Sequence, residues 1–105
     1  VRGLKDGIDY HTQPPATPTG IAVDRGINGF TLAWDANTEI YLAGYNVYID
    51  GVKHNKDVIT DTTYYVTGLQ NEAIYNVKIT SISVWGYESE PFETVVELNA
   101  LDETL

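Results

Sequence analysis

Tyr75-Asn76-Val77-Lys78-Ile79-Thr80-Ser81-Ile82-Ser83-Val84, reached from Gly68-Leu69 across the polar bend Gln70-Asn71-Glu72, sets the architecture of this chain. Tyr75, Val77 and Ile79 alternate with Asn76, Lys78 and Thr80, the two-residue period of a half-buried strand. A buried Tyr at the start of such a strand can turn its hydroxyl back onto the bend before it and pin the corner where the chain changes sheets. The remaining strand candidates are short and suited to packing against this one.

The chain has 105 residues, of which 43% are hydrophobic, enough for one domain with a modest core. No uninterrupted apolar run is long enough for a transmembrane helix, and no signal peptide is visible. Met is absent even at position 1, which reads as a piece of a longer polypeptide. Cys is absent too, which removes disulfides, thiolate metal sites and Cys nucleophiles. Fifteen acidic residues against 6 basic ones give a formal charge of −9, a surface that repels phosphate backbones and anionic lipid. Nucleic-acid and membrane partners are therefore not expected.

Residues 1–14 read as an N-terminal connector, 15–98 as the domain and 99–105 as an acidic exit linker. Val1, Gly3-Leu4 and Tyr10 repeat the spacing of Val66, Gly68-Leu69 and Tyr75, which suggests a fragment of a repeat. His11 to Pro15 then reads as an extended, stiff connection. Gly20 to Val23, with Ile21 and Val23 on one face, is the expected first strand, and Arg25 to Gly29 a turn. Phe30, Leu32 and Trp34 mark the second strand, and Tyr45, Val47 and Ile49 the inward face of the third. Asp50-Gly51 is a hairpin signal that returns the chain through Val52 to Val58. Thr62–Thr67, Ile74–Val84 and Phe92–Leu98 complete seven short strands with no credible helix, an all-β antiparallel sandwich.

These residues resemble the fibronectin type III family over about Pro15 to Leu98. The carriers are Pro18 before the first strand, Trp34 closing the second, Gly44-Tyr45-Asn46-Val47-Tyr48 in the third, Gly68-Leu69 with Tyr75 at the corner, and Gly86, Ser89 and Pro91 entering the last. The resemblance implies a seven-stranded immunoglobulin-like β-sandwich in which Trp34, Tyr45, Leu69 and Tyr75 are structural. The Cys pair of antibody-type domains is missing. Trp34-Asp35-Ala36 and Ala43 to Tyr48 look most like bacterial and bacteriophage members, found in secreted polysaccharide-degrading enzymes and phage tail proteins.

For chemistry the residues offer little. His11 and His54 fall in a connector and a hairpin return with no oriented partner, so no catalytic residue and no enzyme activity are expected. The family layout brings the loops after Trp34 and Val84 to one pole, where Asp35, Glu39, Glu88 and Glu90 could approach one another. Without a cleft they read as solvated carboxylates. Asp35-x-Asn37-x-Glu39 resembles the start of a calcium loop, but Ile40 and Asn46 stand where Gly and a bidentate acid belong, so no metal and no cofactor are expected. Arg2-Gly3-Leu4 and Arg25-Gly26-Ile27 lack the Asp of the integrin-binding members, so that activity does not carry over.

Tyr41, Trp85 and Tyr87 remain as candidate binding residues, rigid amphipathic rings at loop tips of one pole. They suit a protein partner or sugar rings, or Trp85 covers the Pro14-Pro15 connector or packs on a preceding domain. The expected role is a spacer and protein-interaction module of a larger bacterial or phage protein, secreted or on a virion surface. Its partners would be neighbouring domains or other proteins. The alternative is a carbohydrate- or cell-surface-binding accessory domain that contacts polysaccharide through these rings.

Overall fold

The computed structural model describes residues 11–98 in full, together with the backbone of 4–5 and 8–10. The repeat-like spacing of Val1, Gly3-Leu4 and Tyr10 and the exit linker 99–105 lie outside the fully described residues. Leu4–Lys5 (β1) and Ile8–Asp9 (β2) pair antiparallel, and a single 3-10 turn follows at Tyr10–Thr12. The connector is thus turned at His11 rather than extended from there.

Seven strands make the sandwich. One sheet holds Ala22–Gly26 (β3), Gly29–Ala33 (β4) and Thr63–Val66 (β7), ordered β3-β4-β7. The other holds Leu42–Ile49 (β5), Val52–Lys53 (β6), Ile74–Ser83 (β8) and Phe92–Glu97 (β9), ordered β6-β5-β8-β9. Each neighbouring pair is antiparallel. Among the described residues there is no α-helix.

The inward rows follow the alternation. Phe30, Leu32 and Val66 from one sheet meet Tyr45, Val47, Val77, Ile79 and Val96 from the other, all buried. Trp34 closes this core edge-to-face on Tyr45, with ring centroids 5.2 Å apart at 65°. Among the described residues its indole N–H has no hydrogen-bond partner, so the ring contributes through packing. Leu69 and Tyr75 are partly buried against the same cluster. The Tyr75 hydroxyl accepts the Gln70 N–H at 2.8 Å, closing the corner. The hydroxyl lies at the surface, so the buried Tyr expected there is a half-buried ring whose hydroxyl faces solvent.

Two strand expectations are corrected. The first strand runs Ala22–Gly26, with Arg25 inside it, and all its side chains are exposed, including Val23 at 37%. As the sheet edge, it is covered on neither side, although Ile21 just before it packs on the core. Asp50 and Gly51 turn at φ 51° and 85°, the signature of the mirror-image turn that suits hairpin twist. The return strand nonetheless stops at Lys53, well short of Val58. Asn55, 3% exposed, takes its place by accepting the Val47 N–H on Oδ1 at 2.8 Å. His54 still gives its N–H to the Val47 carbonyl at 2.8 Å, and the next bridge to β5 is Ile59, which exchanges two backbone bonds with Tyr45 at 2.9 and 3.0 Å.

The ends lie at opposite poles. Thr19 meets Asp35 at the pole where β8 ends, while Leu98 bonds Ala73 and Glu72 where β8 begins. The ten residues of β8 span about 33 Å between them.

Candidate functional site

At the entry pole, Ser83 builds the loop that carries two candidate rings. Its Oγ accepts the N–H groups of Trp85 and Tyr87, each at 3.2 Å, while Gly86 takes φ 91° between them. Glycine adopts that conformation without the steric penalty a side chain meets. Val84 donates its N–H to the Tyr41 carbonyl at 2.8 Å, bringing the neighbouring loop alongside. Tyr41 then stacks on Trp85, centroids 6.2 Å apart and 28° between planes. Trp85 and Tyr87 remain 45% and 44% exposed, Tyr87 without a ring contact among the described residues.

The His11 imidazole of the 3-10 turn rests against the Trp85 indole, centroids 4.2 Å apart at 46°. The connector is clamped a few residues on. The Ala16 carbonyl accepts Asn37 Nδ2 at 2.7 Å and Ser81 Oγ at 2.8 Å, and Thr17 Oγ1 donates to the Glu90 carbonyl at 2.8 Å.

The loop carboxylates do not converge. Glu39 accepts the Ala16 N–H at 3.0 Å and Asn37 Nδ2 at 3.1 Å, and Asp35 lies over Gly20. Asn37, the centre of the calcium-like spacing, gives its N–H to the Tyr45 hydroxyl at 2.7 Å. Among the described residues no three His, Asp or Glu side chains are grouped for a metal ion. His54 joins elements rather than activating a nucleophile. Its Nδ1 accepts the Tyr64 hydroxyl at 2.7 Å, and Nε2–H donates to the Thr67 carbonyl at 3.2 Å.

Glu88 goes elsewhere, onto the outward face of the four-stranded sheet. Its Oε2 accepts Thr80 Oγ1 at 2.6 Å, the Tyr48 hydroxyl at 2.7 Å and Asn46 Nδ2 at 3.1 Å. Asn46 is 3% exposed, and Asn55 Nδ2 donates to its Oδ1 at 2.8 Å, which fixes which end of the amide faces Glu88. Burial pushes the Glu88 carboxyl up, but the three hydrogen bonds and the charge of Lys53 outweigh it and hold the group below its ordinary value. Burial first, then the bond to Glu88 and its charge, push the Tyr48 phenol up to about 12. Beside Glu88 runs a groove of about 290 Å³ that joins a second of about 530 Å³ at Gly51 and Lys78.

Two packed antiparallel sheets with this strand order, a corner tyrosine and end-to-end chain entry define an immunoglobulin-like β-sandwich module. The family model for the fibronectin type III domain matches residues 16–95. The chain belongs to that family. Among solved structures it is similar to the Clostridium perfringens spore cortex lytic enzyme SleM (24% identity, TM-score 0.70), covering 80% of this chain and 28% of that one. Chitinase ChiA74 from Bacillus thuringiensis is similar at 22% identity and TM-score 0.72, with 82% of this chain and 14% of that one covered. An Fn3-like protein from Clostridium thermocellum matches at 23% identity and TM-score 0.67 over 87% of this chain and the whole of that one. A search of curated proteins finds no relative. The chain thus spans only 28% of the spore enzyme and 14% of the chitinase, as a domain-sized part. Fibronectin type III domains occur as non-catalytic modules within multidomain enzymes of this kind.

Proposed function

We propose that this module is a non-catalytic spacer and protein-interaction unit of a larger multidomain bacterial or phage protein, working outside the cell or on a virion surface. Within it, 1–14 serve as connector, 15–98 as the module and 99–105 as exit linker. The observation that carries the reading is entry and exit at opposite poles of a rigid sandwich. Tandem neighbours then extend end to end, each step set by the length of β8. Tyr41 and Trp85 support the reading because His11 of the connector already rests on the indole, so these rings orient a joint. The acidic surface, at −9, disfavours self-association.

The absence of cysteine makes a distance measurement direct. A Gln13→Cys, Glu97→Cys chain carrying two spin labels should give one narrow distance population of roughly 30–40 Å, with the protein sedimenting as a monomer. Ends closer than about 20 Å, or a broad distribution, would remove the spacer role.

A further inference from the structure

We propose that the groove beside Glu88, on the outward face of the four-stranded sheet, binds an uncharged polysaccharide chain. This goes beyond the spacer role and does not depend on it. The site is built, not incidental. Val47 N–H, Asn55, Asn46 and Glu88 form a connected series in which two buried amides, each 3% exposed, orient one carboxylate at the surface. All three donors converge on Oε2, which leaves Oε1 without a hydrogen bond to any described residue. A fixed carboxylate with a spare acceptor is an oriented hydrogen-bonding group for a ligand.

The chemistry around it selects the ligand. Lys78 lines both grooves, and its ammonium lies 4.0 Å from Glu93 at the limit of an ion pair, half exposed and easily redirected. A carboxylate acceptor and an ammonium donor on one groove match vicinal hydroxyls, which both donate and accept. Phosphate only accepts, and a guanidinium or ammonium only donates. The charges agree. At the groove Lys53 and Lys78 stand beside Glu88 and Glu93, with Glu97 further along the same face, whereas the chain as a whole carries −9. A polyanion is repelled by the molecule, and a cation meets two lysines here. The Tyr48 ring supplies a partly exposed surface in the trough, and Gly51 leaves its corner open, with nothing near the place a Cβ would take.

The test is a two-dimensional amide NMR titration of the whole chain with cellohexaose, chitohexaose and maltohexaose, up to about 10 mM, since a shallow polar site binds near the millimolar range. Saturable shifts at Tyr48, Lys78, Thr80 and Glu88 are expected with at least one of them. Lys78→Ala and Glu88→Gln should each weaken binding about fivefold or more while the spectra keep native dispersion. Should Glu88→Gln lose its fold, Lys78→Ala alone decides, because its side chain faces solvent. The proposal is overturned by no saturable shift with any of the three sugars, by shifts confined to Tyr41, Trp85 and Tyr87, or by unchanged affinity in the variants. Saturation of the groove by a Lys/Arg-rich peptide but by no sugar would also overturn it, and would make the face a protein-docking surface.

Discussion

Replacing Glu88 by Gln tests whether the outer-face network stabilises the fold as an ionised unit. Three donors end on one carboxylate oxygen, two of them from the buried residues Asn46 and Thr80. Bonds to a charged acceptor contribute roughly 1.5–3 kcal/mol each in favourable burial. Here Glu88 is solvent-facing and the Gln oxygen still accepts, so the expected loss at neutral pH is only about 1–2 kcal/mol. The pH dependence isolates the charge. The folded-state carboxyl titrates below the ordinary 4.5, so its contribution is present above that value and disappears as pH falls through the folded pKa. Urea unfolding of both proteins at pH 7 and at about pH 2.5 should therefore show a stability gap at pH 7 that closes in acid. An equal gap at both pH values, or none at pH 7, would refute the reasoning.

Tyr48 shows the opposite sign. With the phenol raised from 10.0 to about 12, its contribution is complete below pH 10 and is lost as pH climbs toward 12. Alkaline unfolding midpoints of Tyr48→Phe against the parent should converge across that window. Tyr75→Phe should cost about 0.5–1.5 kcal/mol by chemical denaturation, because the Gln70 N–H it abandons can turn to water; a loss above about 3 would mean the corner is drier than described. Trp34→Ala should cost about 3–5 kcal/mol, read as loss of the cooperative unfolding transition, whereas a well-folded variant would contradict the core assignment. Trp85→Ala should leave the unfolding midpoint within about 0.5 kcal/mol of the parent but broaden the distance distribution between labels at 13 and 97.

Inward facing was legible because apolar residues keep a two-residue period on strands buried on one side. Tyr45, Val47 and Ile49 oppose Phe30, Leu32 and Val66 as the pattern requires. The Asp50-Gly51 turn was legible for the same local reason, since both positions need φ above zero. Glu88 was not. Sequence reading placed it with Asp35, Glu39 and Glu90 at the loop pole. Its actual donors are brought together by cross-strand register, Asn46 opposite Thr80, with Tyr48 two residues along the same face. The available signal was Asn46 itself, a polar residue between Tyr45 and Val47 in an otherwise apolar strand. The early end of β6 was equally hidden, because a side chain, Asn55, replaces the backbone ladder. His11 against Trp85 could not be foreseen, since it depends on a one-turn 3-10 segment with no periodicity to reveal it.

The long strand also explains why the entry pole is polar. Its inward row begins apolar, with Tyr75, Val77 and Ile79, and changes at Ser81 and Ser83, both buried. Those hydroxyls do not fill the core. Ser81 donates to the connector at Ala16, and Ser83 gathers the backbone of Trp85 and Tyr87. Apolar contact is non-directional and tolerates sliding, whereas a hydrogen bond fixes distance and angle. A module that merely needed stability would have continued the apolar row to the pole. One that must hold an incoming chain at a set angle gains from ending it in serines, with Trp85 and Tyr41 closing over the joint. The same strand thus supplies cohesion at one end and orientation at the other, a division that suits the spacer role proposed above.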